Sequence, residues 1–293
     1  MRGSEAGVPA LRRRWRPLRT AVWLGWLIES NWARPSVFAV YAVIKPLSVA
    51  GILVLMFAAI NRGSGFESPA FTYMYLGNAF YLYVGAIMSG MGWAVVQDRD
   101  HDRMLKSMYV APMDFRLYLI GRGPARFAVA SISVLLTLLV GVLAFGLPID
   151  VRSVDWLWFV PVLLLGLVAL AFLGLTMAGI MLLSGQQSWG LGELMAGALY
   201  LFSGAIFPID VMPAAMRPIG LALPATYWLE LLRRSLVDST SSVSLIFRDR
   251  SNPALVLTLL ALTCVYAVAS LAAFGWCTHR ARSRGLIDRT SNY

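Results

Sequence analysis

Long uncharged apolar runs, broken by short polar and charged segments, set the plan of this chain. Six runs read as membrane-crossing helices, at about Ser36–Ile60, Ala70–Val96, Phe127–Gly146, Trp156–Leu183, Trp189–Phe207 and Pro253–Thr278. A bilayer takes about 20 residues to cross as a helix, and these runs meet that length. The apolar stretch that starts at Trp156 continues to Gly192, too far for one helix, so the chain must reverse near Ser184–Ser188. The pattern predicts an all-α polytopic membrane protein of six transmembrane helices. Short alternating segments of the kind that build a transmembrane barrel are absent.

Ahead of the first run, Leu11, Trp15, Leu18, Val22 and Trp26 recur at helical spacing, with Arg12, Arg13, Arg16 and Arg19 on other faces. This predicts an amphipathic helix lying in the membrane interface, with Trp15, Trp23, Trp26 and Trp32 at headgroup depth. A disordered basic tail is the other reading. Between the last two runs, Pro208, Pro213, Pro218 and Pro224 leave no stretch of membrane-crossing length. The expected structure there is a set of short re-entrant helices. The domain plan is therefore a tail with an interfacial helix over 1–35, a six-span domain over 36–278, and a basic tail over 279–293. Within the middle domain lie a charged loop at 97–123 and a re-entrant region at 208–252.

Composition agrees with the pattern: 58% of residues are hydrophobic and 14% charged, outside the range of soluble domains. The net charge of +10 is carried almost wholly by arginine at the ends of the runs. That distribution points to topology and anionic lipid headgroups, not to nucleic acid. The first 20 or so residues are Arg-rich and carry no small-residue cleavage site after an apolar core, which argues against a cleavable signal peptide. The N-terminal arm, the loop after the second run and the C-terminal tail hold most of the arginines and fall on one side. The positive-inside rule makes that side cytoplasmic, with both termini inside. Arg217, Arg233, Arg234, Arg248 and Arg250 on the other side weaken the bias without reversing it.

Catalytic patterns fail one by one. A phosphate-cradling loop needs glycines ending in Gly-Lys-Ser/Thr, but Lys45 precedes a proline and Lys106 follows Asp102-Arg103-Met104-Leu105. No Gly-x-Ser-x-Gly elbow or His-Glu-x-x-His occurs, the two cysteines Cys264 and Cys277 form no metal-ligand set, and no catalytic residue or metal site is assigned. Two ionisable residues fall inside expected spans, Lys45 and Glu193, at depths of roughly 13 and 7 Å. Such groups usually face a bundle interior or water and mark pathways. They either pair and line an inner cavity or snorkel to the interface. Tyr200 and Phe202, in the same apolar region, join them as candidate path residues.

The segment Gln97–Pro112, QDRDHDRMLKSMYVAP, cannot sit in lipid and is expected in water. Asp100 or Asp102 can cap a short helix there. Met104, Leu105 and Met108 then gather on one side, and Pro112 ends it. That makes a docking knob or an ordinary solvated loop. Two motifs tip the balance. The run Asp98–Lys106 closing in Val110-Ala111-Pro112 resembles the loop after the second span of type 2 ATP-binding cassette permeases. The stretch Leu201–Pro208, with Met212-Pro213 and Leu223-Pro224-Ala225-Thr226-Tyr227, is similar to that family's region after the fifth span. Where many members carry Gly-Thr-Leu, this chain has His101-Asp102-Arg103-Met104, which leaves subfamily and cargo open.

The resemblance implies the transmembrane permease subunit of an exporter, in the plasma membrane, moving an amphipathic, lipid-like, drug or glycan cargo. It implies two separate ATP-binding cassette ATPase subunits that carry the ATP and Mg, with no cofactor bound by this chain. A second permease chain, identical or a sister, completes the assembly. Asp98, Arg99, Arg103, Met104, Leu105 and Met108 would form the coupling helix. Ser203, Gly204, Pro208, Pro213 and Pro224 would mark the re-entrant motif at the outer mouth. The competing functions are an integral-membrane lipid-modifying enzyme, which needs clustered acids or histidines, and an ion-coupled carrier using Glu193.

Overall fold

The computed structural model describes residue 20 and residues 22–28, 35–61, 66–101, 115–150, 152–184, 190–237 and 243–285. No strand occurs among them. The helices are α1 (Pro35–Ile60), α2 (Pro69–Val96), α3 (Phe115–Phe145), α4 (Trp156–Leu183), α5 (Leu191–Phe202), α6 (Arg217–Ala222), α7 (Pro224–Leu236), α8 (Leu245–Arg248) and α9 (Asn252–Ser283). A π-helical turn, Gln97–His101, extends α2, and a 3₁₀ turn, Ile209–Val211, precedes α6. Residues 22–28 are helical too, and Trp23 and Trp26 are exposed there. These residues belong to the stretch expected as an interfacial helix; Trp15 and Trp32 lie outside the described residues.

Five helices are long and apolar enough to cross a membrane: α1, α2 with its extension, α3, α4 and α9. The expected fifth span corrects to a shorter element. Helix α5 has 12 residues, about 18 Å at 1.5 Å per residue against a hydrocarbon core of about 30 Å. Glycines set its limits: Gly190 and Gly204 hold φ of 86° and 71°, where a side chain would be strained. Helix α3 begins at Phe115, ahead of its apolar span, which runs Gly121–Phe145 against the expected Phe127–Gly146.

Helix α2 is the hub. It packs against α3, α4, α5, α7 and α1, and 72% of its apolar window is buried, against 22–33% for the other four spans. A helix apolar all round is one buried all round. The peripheral spans instead leave Leu55, Leu143, Leu157 and Val268 exposed, as expected where lipid replaces water. Helix α9 lies along α4, and α7 is wedged against α4, α9 and α2. The wedge is held by Trp228, fully buried, whose indole lies where a Cβ on Gly166 of α4 would stand at 2.0 Å. Only glycine admits that ring. Near the start of α2, Phe57, Phe66, Phe71, Tyr75 and Phe145 form a second cluster with ring centroids 5.0–5.9 Å apart.

Candidate functional site

At one end of the bundle, α2 runs into the charged segment. Asp98 and Arg99, expected in water, are instead buried at 1% and 3% exposure. Asp98 meets Arg122 of α3, whose Nη1 donates to Oδ1 at 2.9 Å and Oδ2 at 3.1 Å. The same nitrogen donates to the Tyr118 hydroxyl at 3.1 Å, and that hydroxyl donates to Asp98 Oδ1 at 3.4 Å. Tyr118 and Arg122 stand four residues apart on α3, so one helical turn presents both to the same carboxylate. Burial, with the Asp98 charge adding to it, pushes the Tyr118 hydroxyl up to about 12, so it stays a donor at any physiological pH. The helical stretch 22–28 meets the same point: a Cβ on Gly25 would lie 3.0 Å from the Arg122 Cα. Three segments thus converge where the charged segment begins. A buried carboxylate needs a partner with good geometry, and α3 supplies it because its first turns extend beyond the apolar run. Arg103, Met104, Leu105 and Met108 lie outside the described residues.

Helix α5 packs against α2 and α6. Tyr200 donates to Asn78 Oδ1 at 2.7 Å, and its ring lies 4.5 Å from that of Tyr81. The Tyr81 hydroxyl donates to the Ala196 carbonyl. Sequence reasoning missed Asn78, although an amide inside an apolar run is a signal in itself. Phe202 is half-buried at the end of the helix. The opposite face of α5 is exposed and carries Glu193, Leu194, Gly197, Ala198 and Leu201. Glu193 sits in the first turn, where the helix dipole favours an acid, and forms no ion pair among the described residues. Lys45 is exposed on α1 beside the in-helix Pro46. Glu193 and Lys45 form no ion pair with each other among the described residues.

At the far end, Arg233 of α7 gathers three carbonyls. Its Nε donates to Tyr73 O at 3.1 Å, and its Nη2 to Gly204 O at 2.9 Å and Ala205 O at 2.8 Å. The guanidinium stacks 3.6 Å from the Tyr73 ring centroid, and the Tyr73 hydroxyl also donates to Gly204 O at 3.1 Å. Gly77 makes room: a Cβ there would stand 1.9 Å from Ala205 O and 2.0 Å from Arg233 Nη2. Arg234 pairs with Glu230 at 3.1 Å and donates to the carbonyls of Arg250, at 2.8 Å, and Phe247. Asp210 accepts from the backbone of Leu245 at 2.7 Å and Ile246 at 3.0 Å. Ser203 and Gly204 are buried in this knot, Pro208 precedes the 3₁₀ turn, Pro213 accepts from the backbone of Met216 at 2.9 Å, and Pro224 opens α7. The motif after α5 is thus the turn that fastens α5 to α2 and α7. Its fasteners, Arg233 and Arg234, count in the sequence only as outer-side cations that weaken the positive-inside bias.

No group of three or more His, Cys, Asp or Glu residues that could hold a metal occurs among the described residues. No curated protein matches the chain. The family model described as ABC-2 type transporter matches residues 18–237, a stretch that takes in the charged joint at Asp98, all of α5 and the Arg233 turn. The chain belongs to the ABC-2 type transporter family and is a membrane permease component of an ABC transporter.

Proposed function

We propose that the chain is the permease half of an exporter driven by separate ATPase subunits that dock on the segment 98–112. The observation that carries this reading is the Asp98–Arg122 joint. It makes the start of the charged segment a rigid continuation of α2 and α3, so a push on Met104, Leu105 and Met108 passes into two spans at once. Permeases of this family typically pair with ATP-binding subunits and dimerise. The exposed faces of α1 and α5 are the surfaces we assign to the route and to the seam with a second permease chain. Lys45, Glu193, Tyr200 and Phe202 stand on or beside those surfaces. The region 208–252 covers the outer mouth, and both termini are cytoplasmic in the plasma membrane. The exposed leucines and small residues of α5 suit an amphipathic or lipid-like cargo.

The test is co-expression with a candidate ATP-binding cassette ATPase subunit. Wild-type chain should co-purify with the ATPase and support ATP-driven efflux, and Met104→Asp or Leu105→Asp should abolish both. Retention of complex and transport in both variants would sink the docking claim. Transport that follows a proton gradient without any ATPase would favour a carrier instead.

A further inference from the structure

A cavity of about 90 Å³ opens at the end of the bundle opposite the Asp98–Arg122 joint, lined by Glu67, Thr72, Tyr73, Glu230, Arg233 and Arg234 among others. Three observations show that its polar groups are not used up by the fold. Thr72 is 6% exposed, and its hydroxyl has no hydrogen-bond partner among the described residues. Arg233 spends Nε and Nη2 on carbonyls, while its Nη1 makes no hydrogen bond among them. Glu67 is exposed just before the first turn of α2 and has no ion pair among the described residues. The charged lining is balanced, two carboxylates against two guanidiniums, so neither a simple anion nor a simple cation is favoured. Pro69, Leu76, Pro148 and Val237 complete an apolar wall. Because Pro69 opens the span of α2, the cavity lies at the depth where headgroups meet the protein.

We infer that this cavity binds a zwitterionic group carrying a primary ammonium and an anion, of the phosphoethanolamine class. The ammonium has hydrogens to give to the Glu67 carboxylate and the Thr72 hydroxyl, and the anion takes the spare Arg233 Nη1. A quaternary ammonium has none to give. The volume suits one end of such a group, with any acyl chains left in the bilayer along the exposed helices. The inference needs only membrane insertion of the apolar helices; it stands or falls apart from export and ATPase docking.

The test uses the purified full chain in detergent, with phosphatidylethanolamine, phosphatidylcholine and phosphatidylglycerol of matched acyl chains offered together and retained adducts read by native mass spectrometry. Phosphatidylethanolamine should be retained about tenfold or more over each of the others, the ratio one charge-assisted hydrogen bond supports. Glu67→Gln and Thr72→Val should each remove most of that preference while leaving the thermal unfolding midpoint in place. Free phosphoethanolamine at millimolar concentration separates the sources: displacement of the lipid assigns a soluble ligand of this chemistry, and persistence assigns the lipid. Equal retention of the three lipids, or a preference unchanged in both variants, would overturn the inference. Glu67 is exposed, so its substitution keeps the test clear of folding failure.

Discussion

Replacing Asp98 by Asn, or Arg122 by Met, breaks an ion pair whose side chains are 2% and 1% exposed respectively. Each single change removes the buried bond between them. Arg122→Met takes the guanidinium away from the Asp98 carboxylate, and Asp98→Asn leaves that guanidinium facing a neutral acceptor. Removing one partner of a buried pair costs about 3–5 kcal/mol, whereas removing both leaves no charge to strand. The double change should therefore cost less than the sum, with a coupling of about 2–3 kcal/mol in the cycle. Tyr118→Phe, which deletes one hydroxyl bonded at 3.1 Å, should cost about 1 kcal/mol. The assay is reversible unfolding in mixed micelles for the four members of the cycle, with ATPase co-purification measured on the same samples. Because Asp98 is 1% exposed, any loss of docking in Asp98→Asn must act through the position of the segment rather than through lost contact. Single variants each costing below about 1 kcal/mol, or a strictly additive double variant, would refute the idea of a joint.

Four further outcomes follow from the geometry. Gly77→Ala places a methyl 1.9 Å from a carbonyl oxygen of a buried turn and should lower stability by about 1–3 kcal/mol, read by the same unfolding assay. Arg233→Lys keeps the charge but cannot reach three carbonyls in a fork; protease cleavage after α5 should rise well above that of wild type. Tyr200→Phe leaves the Asn78 amide without the partner on its oxygen and should cost about 1–3 kcal/mol, with Asn78→Leu in the same background restoring part of it. Glu193→Gln and Lys45→Met, both exposed in the single chain, should leave the unfolding midpoint unchanged and reduce the efflux rate; unchanged efflux in both removes them from the path.

Hydropathy made the long helices legible because a span is a property of a whole window. Helix α4 begins at Trp156 and ends at Leu183, where the sequence places it, since Asp155 caps its start and Ser184 its end. The same averaging hid α5: the apolar run continues through Ser203 to Phe207, but Gly204 turns the backbone at φ 71° and the helix stops early. Single polar residues inside a run are invisible to a window, so Asn78 leaves no trace in the hydropathy while its partner Tyr200 stands among the candidate path residues. The joint at Asp98 was half legible. Asp98 and Arg99 stand out in the sequence but Arg122 does not, because a dense charge cluster reads as solvated unless the partner helix is known to extend beyond its apolar core.

Arginine shows where sequence reasoning stops and why. Counted by side, Arg217, Arg233 and Arg234 speak against the proposed orientation, because they add positive charge to the end that should be poor in it. In the fold each has a structural duty. Arg217 holds the carbonyls of Met212 at 2.9 Å and Asp210 at 2.8 Å, Arg233 closes the turn after α5, and Arg234 ties α7 to the residues before α9. A guanidinium carries five donors in a fixed fork and keeps its charge at any physiological pH, so it is suited to collect the carbonyls that irregular, proline-broken backbone leaves exposed. Short helices with many ends create that need, and the region 208–252 has more helix ends per residue than any other described part of the chain. Arg217, Arg233 and Arg234 answer to backbone satisfaction and not to topology, so of the outer arginines only the exposed Arg248 and Arg250 are left to count against the bias carried by the N-terminal arm, the loop at 97–123 and the C-terminal tail.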